Sequence, residues 1–142
     1  MSERLGFIGT GSITPVLPPE PAVMALFDAL GRALPVPDAA TFQVYSAAGA
    51  VMATYFGLVG TAVDWATAQG LSAADARAFM ASLFGNLGDV LRQDARPLDD
   101  LRIAYSTAGG LNEQVHAAFV AGGGPQALTE GLAAVLRRIK GT

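Results

Sequence analysis

Two glycine patterns in this 142-residue chain have a spacing that could hold an anion. The first is Gly9 and Gly11 in "LGFIGTGSIT", which follows a strand-like run. In a dinucleotide-binding turn the first glycine makes the tight bend and the second lets the pyrophosphate reach the backbone. Here Thr14 takes the third position, and Pro15, Pro18, Pro19 and Pro21 stand where the phosphate-binding helix should follow. Without the N–H groups of that helix the pattern reads as a strand and turn with no ligand. The second pattern is Gly109 and Gly110 in "STAGGLNEQ". A double glycine lets backbone N–H groups approach an anion at a helix start. Asn112 can add a hydrogen bond through its amide. The same residues equally make an ordinary turn with Asn112 as N-cap.

Other candidate chemistry is thin. His116 is the only histidine, and the chain has no cysteine. Glu113 one turn away does not complete a metal site. The absence of cysteine excludes a disulfide framework, a thiolate zinc site and a cysteine nucleophile. Asp28, Asp99 and Asp100 show no paired geometry, so no catalytic residue is assigned. Gly122–Gly124 reads as a helix-to-helix turn, because no lysine follows in the first turn. The net charge is −3 and the basic residues are scattered until Arg137, Arg138 and Lys140, which argues against nucleic acid as a partner.

The elements that would position these residues are mainly helical. Two short strand-like segments, "RLGFIG" and "ITPVL", lie within residues 1–19. A helix is predicted from Pro21 to Gly31, with Val23, Leu26, Phe27 and Leu30 on one face. Ala33 to Asp38 reads as a linker ending in a candidate N-cap, Asp38. Residues 39–63 carry no formal charge and predict one long helix, or two with a break between Ser46 and Ala50. Ser72 with Asp75 resembles a capping box. The helix it starts bears the cleanest apolar stripe in the chain: Ala76, Phe79, Met80, Leu83, Phe84, Leu87, Val90 and Leu91. Pro97 stops it. A short segment, a helix to about Ala121 and a last helix from Pro125 complete the chain.

Only 15% of the residues are charged, against about 25% in an ordinary soluble domain, and 51% are hydrophobic. Such a chain buries surface in a partner or in a membrane. The uncharged stretch exceeds the roughly 20 residues that cross a bilayer. It is rich in Ala, Gly, Ser and Thr, however, and Gln43, Tyr45, Ser46, Thr54 and Tyr55 put polar groups at several depths. No Lys or Arg marks either end. The reading adopted is a helix buried in a subunit interface; a small membrane-associated helical protein is the alternative.

From "ITPVLPPEPAVMALFDALG" onward, the chain resembles the pyrroline-5-carboxylate reductase family over nearly its whole length. In that family a Rossmann domain opening with "GFIGxG" precedes an all-helical domain that dimerises. The resemblance implies that "LGFIGTGSIT" is the start of the Rossmann domain and that "PVLPPEPAVMALFDALGRALPV" is its end. Most of the sheet between them is then missing, and the proline series belongs to a later segment. Two family motifs are present in altered form. "SAAGAVM" keeps Ser46 and Gly49 of the turn entering the interface helix. "STAGGLNEQ" keeps Thr107, Gly109 and Gly110 of the loop that grips the substrate's carboxylate and ring nitrogen, with Ala108 for the proline and Leu111 and Asn112 for the residues ending in Thr.

The expectations are therefore these. The fold is mainly α, a helical bundle like the reductase dimerisation domain with a short N-terminal β remnant. Residues 1–19 are the Rossmann remnant and 20–142 the all-helical dimerisation domain. The substrate-binding residues are Thr107, Gly109, Gly110, Leu111 and Asn112; Gly9 and Gly11 are what is left of a cofactor site. The parent family uses NADP or NAD, and none is expected to bind this chain. The partner is a second copy, through residues 42–63 and 76–91, in the cytoplasm. The chain by itself is expected to be inactive, the alternative being an active NAD(P)H-dependent reductase of a cyclic imine.

Overall fold

A computed structural model describes residues 5–6, 13–17, 21–30 and 32–142. The described N-terminal elements form a three-stranded sheet of order β1-β2-β3, with β1 at Leu5–Gly6, β2 at Ile13–Leu17 and β3 at Arg32–Pro35. β1 runs antiparallel to β2, pairing Leu5 with Leu17 and Gly6 with Val16. β3 runs parallel to β2, from Ile13 opposite Arg32 to Val16 opposite Pro35. The crossover between them is helix α1, Pro21–Leu30, which packs against both strands. The linker expected over Ala33–Asp38 is thus corrected at its first half. β3 is four residues long and contains proline, so no local periodicity announces it. Its pairing with β2 is what makes it a strand.

The long uncharged stretch is helical with the break foreseen near Ser46–Ala50. Helix α2 spans Ala39–Ala48, a 3₁₀ turn follows at Gly49–Val51, and α3 spans Met52–Ala68. Asp38 caps α2, its carboxylate accepting from the Thr41 N–H at 2.7 Å. Three hydroxyls on α2 and α3 turn back on their own helix: Ser46 donates to the Phe42 carbonyl, Thr61 to Gly57 and Thr67 to Val63, at 2.9, 3.0 and 2.9 Å. These three hydroxyls are satisfied locally, so they do not stand in the way of apolar contact.

The compact unit Met52–Leu128 is built on the antiparallel pair of α3 and α4, the latter spanning Ala73–Gln93. Gly70 lets the chain turn between them, at φ +105°. The Leu71 N–H reaches the Ala66 carbonyl and the Gly70 N–H reaches Thr67, the paired bonds that close a helix with a left-handed glycine. Ser72 then caps α4 by accepting from the Asp75 N–H at 3.1 Å, while its hydroxyl donates to the Asp75 carboxylate. Ser72→Ala removes that acceptor and is expected to cost about 1 kcal/mol, read as a lower thermal midpoint with unchanged far-UV dichroism.

The stripe on α4 is wider than one neighbour covers. Ala76 is fully buried and Met80 and Phe84 are half-buried. The Phe84 ring meets Tyr55 edge to face, centroids 5.6 Å apart. The adjoining row Phe79, Leu83, Leu87 and Leu91 stays exposed. On α3, Met52, Tyr55, Phe56, Leu58 and Trp65 are exposed as well. The buried apolar residues of the described chain are Val36, Ala47, Ala66, Ala76 and Leu101, mostly small. Helix α3 with α2 is long and apolar enough to cross a membrane by length and composition.

Past α4, Asp94 accepts from both the backbone and the guanidinium of Arg96 and so shapes the turn before Pro97. Helix α5 follows at Leu98–Ala104, α6 at Leu111–Ala121 and α7 at Gly124–Lys140. Asp99 on α5 accepts from Arg102 at 2.7 Å. The bond from Thr41 holds the Asp38 carboxyl below its usual range, and the guanidiniums of Arg96 and Arg102 do the same for Asp94 and Asp99. A depressed carboxylate stabilises the fold above its unfolded value and ceases to do so as pH falls through its folded one. The thermal midpoint should therefore hold between pH 7 and 5 and fall below about pH 4. Asp94→Asn should flatten part of that fall in a series of melts at different pH.

Candidate functional site

The residues that sequence reading grouped as substrate-binding do come together, at the junction of α5 and α6. Tyr105 closes α5, its N–H donating to the Leu101 carbonyl. Thr107 to Gly110 form a tight turn, the Gly110 N–H bonded to the Thr107 carbonyl at 2.7 Å. Gly109 sits at φ +70°, the left-handed region where a side chain is strained. Gly110 is extended and precedes the first residue of α6. A side chain there would put its Cβ 2.7 Å from the Thr107 oxygen, so the turn needs a bare backbone. Both glycines thus have a structural reason.

Two side chains lock this turn. Asn112 donates its amide N–H to the Tyr105 carbonyl at 2.7 Å, tying the start of α6 to the end of α5. Asn112 is therefore not the N-cap; Gly110 occupies that position, with no side-chain cap bond. That bond uses one of the two N–H groups of the Asn112 amide. Glu113, on the first turn of α6, accepts from the Gly109 N–H at 2.6 Å. Sequence reading considered Glu113 only beside His116. Its signal was an acidic residue on the first turn after a glycine pair, close to capping-box spacing. Leu111 is 82% exposed and takes no part in the turn's bonding network. The Arg102 guanidinium on α5, held by Asp99, also feels the Glu113 charge. No group of residues among those described could hold a metal ion.

The first glycine pattern, Gly9 and Gly11, lies outside the described residues. The strands on either side of it bear directly on cofactor binding. A dinucleotide turn leads from a strand into a helix and on to a parallel strand. β1 and β2 are instead antiparallel neighbours with six residues between them, too few for a crossover. The one strand–helix–strand crossover described is β2–α1–β3, and its helix begins at Pro21 after Pro18, Pro19 and Glu20. Proline supplies no N–H to a phosphate, and glutamate repels one.

Helices joined by the uncharged stretch, a stripe left half open and a glycine turn between two helices define a known class of domain. Residues 39–142 match the family model described as pyrroline-5-carboxylate reductase dimerisation, and the chain belongs to that family. Among solved structures, a pyrroline-5-carboxylate reductase from Coxiella burnetii superposes with a TM-score of 0.79 over 90% of this chain and 50% of that one, at 16% identity. The pyrroline carboxylate reductase of Plasmodium falciparum, with NADP bound, superposes with a TM-score of 0.73 over 82% of this chain and 46% of that one, at 13% identity. At these identities the likeness is one of fold. The chain spans about half the length of both structures. No curated protein sequence matches it.

Proposed function

We propose that this chain is the dimerisation and substrate-site part of a pyrroline-5-carboxylate reductase-like oxidoreductase, that it pairs with a second copy in the cytoplasm, and that it performs no reduction by itself. The observation that carries the pairing is the exposed apolar surface of the α3–α4 hairpin. Phe56, Trp65, Phe79 and Leu91 are each 60% exposed or more on helices whose buried residues are alanines. Burying one such side chain is worth roughly 1.5–3 kcal/mol, and obligate interfaces of about 2,000 Å² or more are built from such faces. A second copy offers the matching face by symmetry. Gly57 and Gly60 have open space where a Cβ would stand, so another helix can come close along that side.

What supports the lack of turnover is that β1 and β2 are antiparallel neighbours and that prolines precede α1 in the sequence, neither of which is the strand-to-helix turn that holds a dinucleotide. The test is light-scattering mass on a sizing column in detergent-free buffer, over a range of concentrations, followed by NADPH oxidation with pyrroline-5-carboxylate. A dimer that persists on dilution and shows no turnover is expected. A monomer, or protein recovered only in detergent, would overturn the pairing and favour the membrane reading that the length of α2 and α3 allows. Steady NADPH oxidation would overturn the inactivity and favour a complete reductase.

A further inference from the structure

We infer that Asp64 and Arg77 form two reciprocal ion pairs across the interface between two copies of this chain and so fix the register in which the α3–α4 hairpins meet. The inference rests on the pairing of copies proposed above. Between residues 39 and 88 the chain carries three charged side chains, Asp64, Asp75 and Arg77. Asp75 is occupied by the Ser72 cap. Further along, Arg92 bonds Asp89, Arg96 bonds Asp94 and Arg102 bonds Asp99, each to a near neighbour in sequence. Asp64 and Arg77 are both exposed, and among the described residues neither side chain has a hydrogen bond or an ion pair. They stand at the closed end of one hairpin, six residues before and seven residues after Gly70. By helical spacing Asp64 continues the row of Ala53, Gly57 and Gly60, the side along which another helix can come close. Trp65 beside it is 66% exposed, and Phe79, two residues past Arg77, is 61% exposed. Covering these rings takes water from the charges next to them. A charge that loses water without gaining a partner is strongly destabilising. Whatever covers this face must therefore bring a cation to Asp64 and an anion to Arg77. A second copy brings both. By two-fold symmetry, Asp64 set against the partner's Arg77 places Arg77 against the partner's Asp64.

The experiment is charge reversal followed by mixing, on the whole chain at low salt, read as mass by light scattering and native mass spectrometry. The variants are Asp64→Arg, Arg77→Asp and the two combined, with far-UV dichroism as the check on folding. Two unit charges about 4 Å apart in water change an affinity by about fivefold. One reversal turns attraction into repulsion at both symmetric contacts, so each single variant is expected to dissociate about a hundredfold more readily than the wild type. An equimolar mixture of the two single variants is expected to recover the wild-type affinity as a mixed dimer, because each contact then joins a cation of one chain to an anion of the other. The combined variant is expected to dimerise as the wild type does. Single variants that pair as tightly as the wild type would overturn the ion pairs and leave the pairing of copies standing. Dissociation that mixing does not repair would overturn the contact between copies, whether or not the combined variant repairs it; repair by the combined variant alone marks a contact within one chain. A monomeric wild type would overturn the pairing of copies and the ion pairs with it.

Discussion

Phe56→Asp is expected to turn a persistent dimer into a monomer at micromolar concentration. Phe56 is 70% exposed on α3, in the middle of the stretch without formal charge. In a two-fold interface each substitution counts twice, because the same patch is present on both copies. Removing a buried aromatic typically costs about 2 kcal/mol or more, and an aspartate without a partner adds its desolvation. Two such losses make about 4 kcal/mol, a rise of roughly a thousandfold in the dissociation constant. Within one protomer the ring covers little, so the helices themselves should persist. The check is mass by light scattering with far-UV dichroism on the same samples. Unchanged mass down to low micromolar would remove this face of α3 from the interface.

The second large effect is expected at Gly110. A Cβ there lies 2.7 Å from a backbone oxygen, and backbone has no rotamer with which to yield. Gly110→Ala should cost about 1–3 kcal/mol through strain in the turn. Gly109→Ala, at φ +70°, should cost roughly 1–2 kcal/mol for its left-handed backbone. The signature that separates turn damage from general destabilisation is amide exchange. The Gly109 N–H, protected by Glu113 in the wild type, should exchange faster in Gly110→Ala, while amides in the middle of α4 keep their relative protection. Equal acceleration at both places would mean that the turn unfolds only with the whole unit.

Much of this fold was legible because its decisive interactions are local. Asp38 and Ser72 announce helix starts three residues ahead of the amides they accept from, and the structure uses both that way. Gly70 ends α3 in the same local way, its left-handed backbone closing the helix. The break near Gly49 was visible as a cluster of small residues. β3 was not legible, since its partner lies in β2 across the α1 crossover and its own four residues look like a proline linker. At the loop, the glycines were readable from their type. The alternative of Asn112 as N-cap fails because its amide instead reaches a carbonyl seven residues back, just past the end of α5. Glu113 was passed over for a related reason: the sequence shows an acid near a helix start, but not the turn geometry that brings the Gly109 N–H to it.

The open face on the α3–α4 hairpin has a consequence for gene dosage. A chain whose apolar helices are covered by a second copy has a folded fraction that depends on its own abundance. Newly made protomers that have not met a partner present Phe56, Phe79 and Leu91 to chaperones and proteases. Halving the rate of synthesis should then lower the standing amount of assembled protein by more than half. An allele such as Phe56→Asp, expressed beside the normal one, carries the substitution once rather than twice in a mixed dimer, so its product should pair with the normal chain only about thirtyfold more weakly and draw some of it into mixed dimers.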